Sequence, residues 1–367
     1  MLLFTPGPTP VPESVRQAMA TVTLHHRTPE FEAIFKEARE RLLKLLGMDE
    51  CVMIASSGTG AMQACMLNLC KTKALTINAG KFGERFGKIA DAMNRDKVEL
   101  KYEWNTPCSV SDVEKALHEH SDIDALFIQV CESAGGLRHP VEAIAKRAKE
   151  INPDIMIIAD GITAVGVEYI DVTDIDALIS GSQKALMLPP GLAMIGFSST
   201  AVEKIGKGVD YYFNLASEIK KQQQNTTAYT AATTLVIGLN AIFDAIEVEG
   251  FDALYANTKA RASATQAALE AIGFSMYPQT PALSMSTVFD EDAEAIRKLL
   301  KTKYGVNMAG GQDHLKGKLF RINQMGLIPV HESAWVVNAI ELALDDLGKR
   351  SFDGTANKVF NKKYYKA

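Results

Sequence analysis

From residue 51 to about residue 200, short apolar runs alternate with amphipathic stretches, and this rhythm leaves few folds open. Cys51–Ala55 is apolar and is followed by Ser56-Ser57-Gly58-Thr59-Gly60 and a helical pattern from Ala61. Leu75–Asn78 precedes a helical pattern at Phe82–Met93, Val98–Trp104 precedes Ser111–His120, and Asp124–Val130 precedes Pro140–Glu150. The apolar runs Ile155–Ala159, Ala177–Ser180 and Ala193–Phe197 follow. Strands that are apolar on both sides need cover on both sides, so the pattern predicts an α/β fold with a mostly parallel sheet between two layers of helices. Ligands on such sheets gather beyond the carboxyl ends of the strands.

The rhythm stops near residue 200. Lys220–Asn225 is polar and reads as a mobile or solvated segment. A long helical stretch, 232–272, is interrupted at Glu249-Gly250. Strand Leu283–Phe289, helix Asp292–Lys303, short strands near Val306–Met308 and Leu319–Asn323, and helix Glu332–Leu347 then read as a compact α+β unit. Residues 13–20 and 29–46 have helical spacing. Prolines at 6, 8, 10 and 12 forbid a helix or an inner strand there, so the N-terminal segment should lie extended over a surface, such as that of a partner subunit. The division this suggests is an arm and helix at 1–20, a large domain at 21–248 and a small α+β domain at 249–367. The tail from 350 is assigned no structure.

Composition narrows the function. The chain has 367 residues, 47% hydrophobic and 23% charged, enough for a large domain and a smaller one. A net charge of -5 with no basic block argues against nucleic acid as a partner. Met1–Pro6 has no positive charge and meets a proline at once, so no signal peptide is expected. No run approaches the ~18 apolar residues of a membrane span. The cysteines at 51, 65, 70, 108 and 131 are odd in number and lack paired spacing, which argues against disulfides or a zinc site and suits a reducing cytoplasm. No metal is expected.

Four places carry residues suited to chemistry. Ser57-Gly58-Thr59 sits between a strand and a helix, where free amides and hydroxyls can hold a phosphate; the same residues also make ordinary N-caps. Asp160 closes the apolar run 155–159, where a carboxylate needs a partner such as a protonated pyridine nitrogen; ordinary strand-end aspartates share the position. Lys184 follows Ala177–Ser180 on a turn of small residues, where a lysine can lose hydration and its pKa can fall; solvated loop lysines look similar. Arg321, within Leu319–Asn323, would bind a carboxylate bidentately if it faced a pocket, and would meet water on an edge strand. Lysine as a Schiff base and aspartate on the ring nitrogen are the pair that pyridoxal phosphate chemistry requires.

The segments together resemble the class V aminotransferases, most closely the alanine–glyoxylate and serine–pyruvate branch. The resemblance rests on Pro6-Gly7-Pro8-Thr9 with Val11-Pro12, His26-Arg27-Thr28-Pro29-Glu30-Phe31, Ser56–Ala61, Phe320-Arg321-Ile322, and above all Ser180-Gly181-Ser182-Gln183-Lys184-Ala185-Leu186 followed by Pro189-Pro190-Gly191. It implies the type I fold of pyridoxal-phosphate-dependent transferases, with a mostly parallel seven-stranded sheet and a smaller C-terminal domain. It implies that Lys184 carries the cofactor and moves the proton, and that Asp160 holds the ring nitrogen. Ser57, Gly58 and Thr59 would hold the phosphate, Phe82 would stack on the ring, and Ser133 would approach its hydroxyl. Ile162 and Gln183 would also touch the cofactor, and Arg321 with Gly7 would bind the substrate. A second subunit's Thr227, Tyr229 and Thr230 would reach the phosphate, which implies a homodimer. Here that loop has Ala228 and Ala231 in place of the usual prolines, and Ala134-Gly135-Gly136 replaces a Ser/Thr-rich turn. The implied reaction moves an amino group from a small amino acid, of the alanine or serine type, to a small 2-oxo acid. A phosphoserine transaminase, a cysteine desulfurase-like enzyme and a non-catalytic subunit on the same fold are the alternatives.

Overall fold

A computed structural model describes residues 1–366 of the chain. The strands are β1 (Leu2–Phe4), β2 (Glu50–Ile54), β3 (Lys73–Asn78), β4 (Asp96–Lys101), β5 (Ile123–Gln129), β6 (Cys131–Glu132), β7 (Leu137–Arg138), β8 (Met156–Asp160), β9 (Ala177–Gly181), β10 (Ala193–Phe197), β11 (Met285–Phe289), β12 (Val306–Gly310) and β13 (Leu319–Asn323). Seven of them form one sheet in the order β2-β10-β9-β8-β5-β3-β4. Every neighbouring pair is parallel except the two made by β10. All residues of β2, β8, β9 and β10 are buried, because helices cover both faces. Pro29–Leu46, Val110–Glu119, Val141–Ile151 and Thr233–Glu247 pack on one face. Gly58–Leu69, Lys81–Ala92, Ser199–Ile205 and Leu215–Gln222 pack on the other. The α/β expectation and its seven strands are met.

The reversal of β10 has a local purpose. It returns antiparallel beside β9, so residues 182–192 form a hairpin loop at the carboxyl end of β9. Ser182 closes this loop: its Oγ donates to the Pro189 carbonyl at 2.7 Å and accepts from the Leu192 amide at 3.2 Å. The Leu188 amide donates to the Ser182 carbonyl at 2.9 Å. Lys184 is therefore fixed above the strand ends rather than left on a free loop.

A second sheet, β1-β12-β13-β11, carries the helices Phe251–Ala271, Ala293–Thr302, Val330–Asp346 and Thr355–Tyr365. The extended N-terminal segment lies on its own chain: Leu2–Phe4 pairs parallel with β12 as an edge strand, and the prolines begin only at Pro6. Two features differ from the sequence expectations. The tail contains the helix Thr355–Tyr365, held by buried Ala356 and Phe360, a single apolar pair that a polar tail disguised. The segment near Lys220–Asn225 is not solvated throughout. Gln222 is fully buried, accepting from the Met53 amide and donating to the Met53 carbonyl, both at 2.8 Å. Its amide substitutes for a neighbouring strand along β2, the edge of the main sheet. Among the described residues no helix is long and apolar enough to cross a membrane, and no cluster of metal-ligating side chains occurs.

Candidate active site

The carboxyl ends of β2, β3, β5, β8 and β9 lie along one rim of the main sheet, and most of the expected side chains follow directly from those ends. Beyond β2, Ser57 takes the N-cap position of the helix Gly58–Leu69 without making a side-chain cap hydrogen bond. The Gly58 and Thr59 amides donate to no group among the described residues. A helix start with a free hydroxyl and two free amides is a ready cradle for a phosphate. Ile162 closes it from the side, since a Cβ on Gly58 would collide with the Ile162 Cδ1.

Asp160 ends β8 and is 5% exposed. Its Oδ1 accepts the Ile162 amide at 3.0 Å, and its Oδ2 accepts from nothing among the described residues. Burial pushes its pKa up to about 6, opposed by the Ile162 amide and by the cations Lys184 and Arg85. A buried carboxylate with one unanswered oxygen asks for a positively charged donor.

Lys184 is part-buried, and burial with the nearby Arg321 cation lowers its pKa to about 8, against the pull of Asp160. Its Nζ donates to the Pro6 carbonyl at 2.6 Å. The N-terminal segment presses on this turn: Thr9 Oγ1 donates to the Lys184 carbonyl at 2.6 Å, and the Thr9 amide to the Gln183 carbonyl at 3.2 Å. Gly7, at φ 106°, leaves no room for a Cβ beside Lys184 Nζ. The proline-rich arm thus serves the lysine of its own chain.

Arg321 lies on β13, an inner strand of the second sheet, and is 7% exposed. Nη1 donates to the Ser133 carbonyl at 2.6 Å and Nη2 to the Gly310 carbonyl at 2.7 Å, while Nε is buried without a partner. Burial lowers its pKa to about 10. It makes no ion pair among the described residues, so a charged guanidinium waits at the junction of the two sheets. Ser133 adjoins Arg321 through its carbonyl, its hydroxyl makes no hydrogen bond among the described residues, and Phe82 lies at the start of the helix Lys81–Ala92 beyond β3.

Thr227, Tyr229 and Thr230 line a small cavity with Ile54, Ala55 and Tyr212, and among the described residues no hydrogen bond joins them to Ser57, Asp160 or Lys184. Thr227 Oγ1 donates to the Tyr229 carbonyl at 2.5 Å, and Tyr229 OH donates to the Tyr211 carbonyl.

Sequence reasoning missed three neighbours of the site. Glu132 is fully buried, and its carboxylate accepts the amides of Phe82 at 2.9 Å, Gly83 at 2.8 Å and Ala134 at 2.9 Å. It ties Phe82 to the turn whose Ser133 carbonyl accepts from Arg321. Burial raises its pKa to about 7 against those three hydrogen bonds. The signal was available: Glu132 is a lone charge just past an apolar run, as Asp160 is. Arg85 donates to Thr59 Oγ1 at 3.0 Å and lies 4.7 Å from the centre of the Phe82 ring, adding a cation at the cradle. Gln129, fully buried with both amide atoms unpartnered, pairs in register with Asp160 on the adjacent strand. Replacing Glu132 with Gln points an amide NH₂ at backbone N–H groups. The variant should lose roughly 1–3 kcal/mol in urea unfolding, whereas unchanged stability would show that the three bonds contribute nothing.

The residues present fit pyridoxal phosphate: an open helix start for the phosphate, an unanswered buried carboxylate for the pyridine nitrogen, and a desolvated lysine for the aldehyde. Comparison with known proteins agrees. The family described as aminotransferase class-V matches residues 1–326. A protein of Helicobacter pylori, named only as an uncharacterized aminotransferase, is 51% identical over 367 residues, covering 100% of both chains. The serine–glyoxylate aminotransferase of Hyphomicrobium methylovorum is 29% identical over 98% of this chain and 94% of its own. The crystal structure of a subgroup IV aspartate aminotransferase from Thermus thermophilus superposes with a TM-score of 0.87 at 28% identity, over 94% of this chain and 99% of the other. The chain is a member of the class V aminotransferase family.

Proposed function

We propose that this aminotransferase uses pyridoxal phosphate to move an amino group from a small amino acid of the alanine or serine type to a small 2-oxo acid such as glyoxylate or pyruvate. The observation that carries the reading is Arg321, a buried cation that makes no ion pair among the described residues and feels the Glu132 carboxylate only at longer range, close enough to Lys184 to help depress its pKa. It suits the carboxylate that both substrates share. For a second anionic group on the substrate, three cations among the described residues are already engaged: Lys81 is paired with Asp313 at 2.8 Å, Arg297 with Glu294 at 2.5 Å, and Arg85 with Thr59 at the phosphate cradle. That weighs against phosphoserine or dicarboxylate donors.

When bound, pyridoxal phosphate supplies the electron sink that acidifies the substrate Cα–H. Lys184 Nζ, with its pKa lowered to about 8, is neutral often enough to take that proton and return it; general acid–base transfer of this kind contributes about 10²–10⁴-fold. Asp160 keeps the ring nitrogen protonated. Ser57, Gly58 and Thr59 hold the phosphate, with Arg85 behind them. Phe82, Ser133, Ile162 and Gln183 bound the ring, and Gly7, whose lack of a Cβ makes room for the lysine side chain, adjoins the substrate.

Thr227, Tyr229 and Thr230 hydrogen-bond to no described residue of their own chain's cradle, which suits a homodimer in which each subunit lends this loop to the other's phosphate. A cytoplasmic location suits five cysteines that are all unpaired and buried. The same thiols weigh against a desulfurase: burial pushes Cys51, Cys70 and Cys108 up to about 12 and Cys131 to about 11, far from a thiolate nucleophile.

The test mixes the holoenzyme with single amino acids and follows the cofactor's absorbance, then adds glyoxylate, pyruvate or 2-oxoglutarate. Alanine or serine should convert the cofactor, and glyoxylate or pyruvate should restore it. Conversion by aspartate or glutamate alone would overturn the substrate assignment and leave the family intact.

A further inference from the structure

A second buried arginine lies outside the cleft. Arg261, on the helix Phe251–Ala271, is 3% exposed. Its Nη2 donates to Thr258 Oγ1 at 3.2 Å and to the carbonyls of Gln324 and Gly326, both at 2.9 Å. Its Nε is buried and unpartnered, and its Nη1 donates to no group among the described residues. No carboxylate pairs with it among those residues. Carbonyl dipoles satisfy one amino group but leave the net charge uncancelled, and burial lowers the pKa to about 10, as it does for Arg321.

Arg261 lines a cavity of about 370 Å³, within the ~300–1,000 Å³ range of small-molecule sites. Ile246, Leu254, Leu327, Ile328 and Val330 supply its apolar wall. Tyr364 adds a hydroxyl that bonds to nothing else described. None of the cleft residues lines this cavity. Glu249, at the rim, accepts from Asn257 Nδ2 at 3.5 Å, one helical turn from Arg261. A ligand with a second negative charge would meet that carboxylate.

We infer that this cavity binds a small monocarboxylate with an aliphatic body, its carboxylate on Arg261 Nη1 and Tyr364 and its chain against Leu254, Ile328 and Val330. The ligand supplies the counter-charge that the fold withholds, as a substrate carboxylate does at Arg321.

Calorimetric titration of the holoenzyme with hexanoate tests this, with hexan-1-ol as the uncharged control. Hexanoate should bind without altering the cofactor's absorbance, and should still bind to Arg321→Ala. Hexan-1-ol should bind at least roughly tenfold more weakly, a difference of about 1.4 kcal/mol. Arg261→Met should abolish binding. Leu327→Glu, a change at a residue 44% exposed and therefore tolerable to the fold, should abolish it too by placing an anion at the mouth. Binding that survives Leu327→Glu, that vanishes with Arg321→Ala, or that is absent from the unaltered protein overturns the inference.

Discussion

Lys184→Ala should abolish measurable transamination, a loss of at least about 10²–10⁴-fold from the proton transfer alone, with more from the lost covalent attachment. Two observations support so large an effect. The Lys184 amine is the titratable cation that both Asp160 and Arg321 act upon, and Ser182 fixes its loop from within. The nearest other cation at the cradle, Arg85, is a guanidinium and cannot form the covalent bond. Borohydride treatment of the unaltered holoenzyme should fix the cofactor to a peptide containing Lys184, and the variant should yield no such peptide. A fixed cofactor elsewhere in the variant, or retained turnover, would remove Lys184 from its role.

The same substitution has a stability signature. The folded pKa of Lys184, about 8, lies below its usual 10.5, so between these values the unfolded chain binds more protons. The cost of burying the ammonium is therefore fully present below pH 8, and stability recovers as the pH rises toward 10.5. The apoprotein of Lys184→Ala should lack that rise.

The sequence displayed the sheet and its strand-end residues well because both are local. Apolar runs mark β5, β8 and β9, and the residue just past a run is where its carboxyl end must be. Asp160 and Lys184 could be found in this way. Arg321 was ambiguous for a physical reason: whether β13 is an inner or an edge strand depends on β12 and β11 pairing on either side of it, which no local pattern states. The antiparallel return of β10, which holds the lysine loop, is also invisible in a run of apolar residues. Gln222 failed differently, since a glutamine in a polar segment gives no hint that its amide completes the edge of β2. Glu132 carried the same local signal as Asp160, a lone charge past an apolar run, but that its partners are the amides of Phe82 and Gly83 emerges only from the fold, as does the register of Gln129 beside Asp160.

Asp160→Asn should lower turnover on the order of 10²–10³-fold, the scale seen when one preorganised charge-stabilising group is removed. It should also make the apoprotein more stable, and the pH dependence distinguishes this from a generic effect. In the native chain the Asp160 pKa is about 6 against a usual 3.8, so between these values the folded state binds the extra proton. Its stability falls as pH rises through that window and is flat above it. The shift of about two units corresponds to ~3 kcal/mol at neutral pH. The amide cannot ionise, so urea unfolding should show the apo variant more stable than the unaltered apoprotein at pH 7, with the gap closing near pH 4. Adding pyridoxal phosphate should reverse the order, because a pyridinium N–H pairs with a carboxylate and gains far less from an amide. An apo variant no more stable at pH 7 would mean that burial does not raise the Asp160 pKa, and one that holds the cofactor as tightly as the unaltered protein would mean that Asp160 does not face the ring. On the proposed reading, the cost of a buried, half-answered carboxylate in the empty protein would be recovered when a protonated ring binds beside it.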